Sequence, residues 1–494
     1  MGVIKRQGIK QSLVSYGAVA VAALSTVFIY PRDTKIYGLA RFILDTAMFL
    51  MPFMLLGLNG VIVRYFPKFK NPDNGHNGFL PFMLLIGLGS VLFFSLLGYL
   101  FWDQLLAVYE DKPAIYSQYL HYLFPLAGLI TLFMIFNSYS SNFKRIVVPS
   151  IFQNLIKFSL PVLILLYLWE YIDVENIIEG ILLTYLLSLI GIIIYIGFLG
   201  QLKLKLNWRF LSPELLKEMG NYSLYLLLGG MGSVIAFRID SIMISTLLDY
   251  DNNGIYGISA FIGNAIAIPA AALILIASPI IATAFDQKDM KHVAYLYRGS
   301  SINLLVVGLF LYVGIAAGIE DLFSIMPRAE VLKEGIQVTL LVGLAKIIDM
   351  GTSVNNQIIN YSKYYRFSVV AVMAMALFNV VTNLIFIPRF QIIGAAMASL
   401  ASIFLYNLLK LGFIYYKLKI QPFSLQTLKI LGIALLAYLV ASRLPLSFSP
   451  FLNLILRSLV VVVIYLPAVL YFKISEDIND LLHQGWSKIK ALLG

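Results

Sequence analysis

No cysteine occurs anywhere in the 494 residues, so disulfides and thiolate metal sites are excluded outright. Histidine is nearly as scarce. His76, His121, His292 and His483 are scattered along the chain, which argues against a metal centre. Charge is short as well: 12% of residues are charged, where a soluble chain of this length carries roughly a quarter. What remains is apolar, with 60% hydrophobic residues and a mean hydropathy of +0.86. The few charges cluster, and the stretches between them have the length of a bilayer crossing, about 20 residues. The chain therefore reads as a polytopic membrane protein. Lys5, Arg6 and Lys10 precede an apolar run, as in a signal peptide. The small residues "AVAVAA" at 18–23 lie inside that run rather than at its end, which predicts an uncleaved first span.

Apolar windows bounded by charge, glycine or proline predict about fourteen spans. They lie near 11–30, 38–62, 79–101, 116–140, 148–169, 177–199, 221–247, 254–284, 299–318, 332–359, 367–387, 392–416, 428–444 and 450–472. The connections alternate in charge. One set contains "RYFPKFK", "FKR", "KLKLNWR", "KDMKH", "SKYYR" and "KLK"; the other contains "WDQLLAVYED", "WEYIDVENIIE", "LDYD" and "IEDLF". The positive-inside rule places the basic set and both termini in the cytoplasm, so the formal net charge of +11 is mostly topology and implies no nucleic-acid partner. After the last span, Ile478, Leu481, Leu482, Gly485, Trp486, Ile489 and Leu493 form one stripe. This predicts an amphipathic helix over 474–494, lying on the inner leaflet or packed on the inner loops.

The stretch "KIYGLARFI" at 35–43 returns as "GIYGISAFI" at 254–262, with five of nine positions identical. Each copy sits where an outer loop re-enters the membrane, and six spans separate them, so both run in the same direction. The expected organisation is two parallel six-helix lobes, 1–200 and 221–420, joined by a cytoplasmic linker at 201–220. An extra helix pair follows at 421–473. Such repeats are a transporter device with the site between the lobes. Mid-span prolines at 52, 125, 161, 269, 279 and 467 fit irregular or kinked membrane helices.

Ionisable groups inside a bilayer are costly and point to function. Eight fall within the predicted spans: Arg41, Asp45, Lys157, Arg238, Asp240, Lys346, Asp349 and Arg457. Arg41 and Asp45 (i,i+4) and Lys346 and Asp349 (i,i+3) each share a helix face and can neutralise themselves. Arg238 and Asp240 are two apart and cannot face one cavity together. Lys157 lies roughly 14 Å deep at 1.5 Å per residue, with no acidic residue nearby in sequence. It needs a lumen or an anionic ligand, or else a structural pair with Asp240 or Asp349. Arg457 lies near the outer surface, where a long side chain snorkels. Asn264, offset from Asp45 by the repeat interval of 219, is its expected equivalent. Asn355, Asn356, Gln357, Asn379 and Asn383 are further polar groups within spans; amides in membranes commonly join helices.

The segment "FRIDSIMISTLLDYDNNGIYGISAFI" at 237–262 resembles the polysaccharide-flippase branch of the multidrug/oligosaccharidyl-lipid/polysaccharide exporter superfamily. An Asp near the end of span 7 is followed by aliphatics, a short acidic loop and Gly-x-Tyr opening span 8. The small-residue stretch "IGAAMASLASIFLYNLLKL" at 393–411 is similar to the family's span 12. The resemblance implies an all-α, MATE-like membrane fold. It also implies alternating-access export of undecaprenyl-pyrophosphate-linked oligosaccharide from the inner to the outer leaflet of a bacterial cytoplasmic membrane. Flippases of this type carry a cationic central cavity, for which Arg41, Lys157, Arg238 and Lys346 are the candidates here, with Asn264 for sugar hydroxyls. Asp45, Asp240 and Asp349 are candidates for a coupling proton or cation. No catalytic residue, metal or cofactor is expected. Partners would be membrane lipid and the glycan polymerase or glycosyltransferases of the same route, around a monomeric transporter. The alternative within transporters is a cation-coupled multidrug antiporter, against which the basic excess argues. A glycan-processing membrane enzyme would need an outer domain or large loop, and every outer loop here is short.

Overall fold

The structure, a computed structural model, describes residues 2–110, 112–145 and 147–479, with the side chains of the first helix from residue 10 onward. The described elements are helices, with no strand among the described residues. Lipid offers no water to pair with backbone groups, so a chain this apolar must close its hydrogen bonds within each segment. Two compact units divide the chain, residues 1–254 and 255–494.

The first unit holds α1 (Gly2–Phe28), α2 (Thr34–Leu55), α3 (Leu58–Phe69), α4 (Phe79–Leu100), α5 (Leu123–Ser141), α6 (Val147–Asn154), α7 (Ile156–Leu168), α8 (Val174–Phe198) and α9 (Pro213–Leu247). Helix α10 (Tyr250–Ala265) begins in it and continues into the second unit. That unit also contains α11 (Ile268–Asp286), α12 (Met290–Ala317), α13 (Ile336–Thr352), α14 (Asn355–Tyr361), α15 (Arg366–Leu418), α16 (Leu425–Ser442) and α17 (Pro450–Tyr471). Short turns in the connections are left unnumbered. The first unit thus takes in α9, whose first eight residues, 213–220, overlap the linker expected at 201–220. The reason is packing: α9 lies along α2 and touches α3.

Twelve helical stretches among the described residues are long and apolar enough to cross a bilayer. The expected fourteen are not all separately resolved. The span expected at 332–359 is divided between α13, of 17 residues, and the short α14. The two expected at 367–387 and 392–416 form one 53-residue run, α15, whose helical dihedrals fail only at Gln391 (φ 52°, ψ −134°). That break follows Pro388, which cannot donate to the helical ladder. Of the other prolines, Pro125 and Pro269 sit in the first turns of α5 and α11, where no intrahelical donor is lost. They start helices and do not kink them. The stripe expected over 474–494 lies outside the described residues from 480 on.

Helix α4 exposes Leu85, Leu88, Leu92 and Leu96 along one face, an outward apolar stripe that suits lipid and would be a liability in water. Inside the first unit, Phe66 meets Phe79 at 5.9 Å and Tyr139 at 5.5 Å, and Phe69 meets Phe79 at 4.6 Å. In the second unit, α12, α16 and α17 share a core of Leu304, Leu309, Ile433, Ala437 and Val461. Tyr465 from α17 is fully buried there and donates to the Val306 carbonyl at 2.9 Å.

Candidate functional site

In the first unit Arg41, Asp45 and Arg238 form one cluster, and Lys157 stands apart among the described residues. Asp45 on α2 is the centre of the cluster, with its side chain only 4% exposed. Arg41, one turn earlier, donates Nε to Oδ2 at 3.1 Å. Arg238 of α9 binds the other carboxylate oxygen through Nη1. The expected Arg41–Asp45 pair is therefore present, but it is a triad. One carboxylate holds two guanidiniums, leaving one formal positive charge. Arg238 stays 41% exposed, so its outer donors remain accessible. Asp240 lies on the buried side of α9, as the two-residue spacing requires.

A left-handed break separates α2 from α3 eleven residues beyond Asp45. Leu56 (φ 52°) and Gly57 (φ 71°) terminate α2, and Ser223 of α9 donates its hydroxyl to the Leu56 carbonyl. A Cβ on Gly57 would stand 2.6 Å from the Ser223 carbonyl oxygen. Only glycine combines that dihedral with that approach.

Lys157 belongs to the first turn of α7, just after the break at Leu155. Pro161 lacks the N–H that would reach the carbonyl of residue 157, so this turn starts with a loosened ladder. The side chain is exposed and forms no hydrogen bond or ion pair among the described residues. The structural pair with Asp240, one of the partners its sequence position allowed, is not made.

The second unit places its polar groups differently. Asn264 stands at the end of α10 and donates to the Ala260 carbonyl of its own helix at 2.7 Å. It is exposed, unlike buried Asp45, so the repeat position is shared but the chemistry is not. Asp349 of α13 accepts from Asn407 of α15 at 3.1 Å, and Lys346, half-buried, sits one turn before it. Asn407 in turn accepts from Thr352 and Asn355 at 2.7 and 3.0 Å. Lys410, one turn further along α15, is fully buried. Its ammonium reaches Asn355 Oδ1 at 3.0 Å and Asn356 Oδ1 at 3.2 Å, and lies 3.5 Å from the Tyr406 ring centroid. Lys410 is absent from the eight embedded charges of the sequence reading. Six residues from the end of its span, it passes for a snorkelling side chain. The cue was present all the same: Tyr406, Asn407 and Lys410 share one helical face.

Arg457 corrects an expectation. It does not snorkel but binds Asp321 Oδ2 through Nε at 3.1 Å. Its other nitrogens take the carbonyls of Ala441 and Ser442 at 2.7 and 2.8 Å and of Leu444 at 3.3 Å. The last carbonyls of α16 have no helical donor of their own, and a cation is favoured at that end of the helix dipole. Arg457 is thus a structural clamp. Among the described residues no group of His, Asp and Glu could hold a metal ion.

Membrane-length helices with buried ion pairs, and an exposed lysine within a span that bonds no described residue, describe a multi-pass membrane protein of the transporter kind. The fold agrees. A lipid II flippase, MurJ, in an inward closed conformation superposes with a TM-score of 0.70 at 16% identity, covering 96% of this chain and 100% of that one. An inward-facing multidrug-resistance MATE transporter matches with a TM-score of 0.64 at 11% identity, over 81% of this chain and 94% of that one. The Vibrio cholerae MATE transporter VcmN matches at 0.56, 11% identical, over 84% and 98%. At these identities the likeness establishes the fold. No curated protein matches the chain. The family comes from residues 7–285, which match the model described as polysaccharide biosynthesis protein. The chain belongs to that family, within the superfamily of multidrug, oligosaccharidyl-lipid and polysaccharide exporters.

Proposed function

We propose that the protein flips a polyprenyl-pyrophosphate-linked oligosaccharide from the inner to the outer leaflet by alternating access, for surface polysaccharide synthesis. Undecaprenyl pyrophosphate is the carrier lipid in this reading. The protein sits in a bacterial cytoplasmic membrane with both termini inside, and hands its cargo to glycan-assembling enzymes. The observation that carries the reading is Lys157, an exposed ammonium within a membrane span, bonded to no described group. A lone cation at that depth is costly, and a pyrophosphate offsets the cost through charge-assisted hydrogen bonds. Arg238 and Arg41 add a net positive triad, and Lys346 is the candidate in the second unit. Asn264 can offer its carboxamide oxygen to a sugar hydroxyl. Asp45, bound by two arginines, is a poor coupling carboxylate. Asp240 and Asp349 remain the candidates for a coupling proton or cation.

The test is transport of a polyprenyl-pyrophosphate oligosaccharide in proteoliposomes, together with surface glycan in cells. Lys157→Ala should reduce transport about tenfold or more, the worth of a charged hydrogen bond, while Lys157→Arg retains most of it. Wild-type transport by a folded Lys157→Ala variant would remove this assignment.

A further inference from the structure

The first unit contains a cavity of about 240 Å³ that neither the charged triad nor Lys157 lines. Gln11 of α1, Asn137, Ser138 and Ser141 at the end of α5, Arg145, and Gln153 of α6 surround it. Residues 137, 138 and 141 share one face of α5, so the polar lining is a stripe.

Neighbouring polar side chains show how unusual this lining is. Asn142 donates to the Ser138 and Tyr139 carbonyls at 3.3 and 3.2 Å, and Asn154 donates to the Ser150 carbonyl at 2.8 Å. Ser141 likewise bonds the Ser138 carbonyl at 2.7 Å. The carboxamides of Gln11, Asn137 and Gln153 and the Ser138 hydroxyl bond no described residue. Arg145 has no carboxylate within ion-pair distance among the described residues. Three carboxamides, a hydroxyl and one guanidinium, none bonded to a described residue, converge on one space. Carboxamides offer donors and acceptors together, which suits vicinal hydroxyls. A guanidinium presents a planar fork that matches a phosphate.

We infer that this cavity binds one phosphorylated sugar unit, with Arg145 on the phosphate and Asn137, Gln153 and Gln11 on the ring hydroxyls. Its volume of about 240 Å³ lies below the roughly 300–1,000 Å³ of sites for drug-sized ligands, so it seats a single ring of the cargo while the rest extends outside it. Arg145 ends the basic connection after α5, on the side that the positive-inside rule assigns to the cytoplasm. The cavity is therefore a loading site, met before the deeper Lys157, which lies four residues beyond Gln153. The inference rests on the flippase reading above, because it supplies the first binding step of that cargo.

The absence of cysteine from the chain makes the test clean. Ser138→Cys in the reconstituted full chain is labelled with a maleimide, alone and with glucose, galactose or N-acetylglucosamine 1-phosphate, or with inorganic phosphate. At least one sugar phosphate should slow labelling about tenfold at saturation, by more than phosphate does, and Arg145→Ala should abolish the protection while the thiol still reacts. Equal rates with every probe would overturn the proposal, and equal protection by inorganic phosphate would overturn its sugar component. In transport assays, Arg145→Ala should raise the apparent KM for the lipid-linked cargo about tenfold with kcat held. An unchanged KM overturns the loading site and leaves the flippase reading intact, whereas no wild-type transport of any lipid-linked sugar overturns the flippase reading.

Discussion

At the scale of single residues, Asp45 and Lys157 show two ways of keeping charge in a membrane. Asp45 is neutralised twice over, by Arg41 at 3.1 Å and by Arg238. Removing the carboxylate leaves two guanidiniums facing each other, at a cost toward or below the low end of the about 3–5 kcal/mol for breaking a fully buried pair, because Arg238 is partly exposed. Asp45→Asn should therefore lower the melting temperature of the detergent-purified protein sharply. Adding Arg238→Gln should recover part of the loss, as coupled neighbours do. Strict additivity of the two would deny the triad. The sequence made Arg41–Asp45 legible, because i,i+4 spacing is local. It was silent on Arg238 as the third member, because no sequence rule says which face of α9 meets α2. The snorkelling expected of Arg457 fails for the same reason, since Asp321 is a partner supplied by folding.

At the scale of elements, the two Ile-Tyr-Gly stretches acquire a physical meaning. Asn253 donates to the Gly38 carbonyl at 2.9 Å and holds Ser241 at 2.9 Å, and Thr34 bonds Asp251. A Cβ on Gly38 would overlap the Tyr250 carbonyl oxygen, and one on Gly254 would overlap that of Thr34. Small residues let membrane helices approach to backbone contact. Gly38→Ala should therefore destabilise the protein by about 1–3 kcal/mol or more, as overpacking does. Gly17→Ala is the control, because nothing lies within 4 Å of that position and alanine is the better helix former by about 1 kcal/mol. Thermal melting of the two variants should move in opposite directions. The repetition was visible in the sequence; the close approach was not, because glycine spacing alone does not name the opposing backbone.

At the scale of the whole molecule, alternating loop charge makes a directional prediction. Tyr171 and Leu204 are exposed in consecutive connections, the first acidic and the second basic. In the cysteine-free chain, Tyr171→Cys should react with an impermeant maleimide added outside cells, and Leu204→Cys only after the membrane is opened. The reverse pattern would invert the topology. Composition and hydropathy by themselves determined the membrane class, the helical architecture and the approximate span positions. Those properties follow from local hydrogen bonding and from apolar length, both of which are written along the chain. Tertiary structure alone decided which charges meet. It tied Arg238 to Asp45 and Arg457 to Asp321, buried Lys410 among carboxamides, and left Lys157 without a partner among the described residues. Such pairings join residues tens to hundreds of positions apart, and their energies depend on distance and burial, which exist only once the helices have packed.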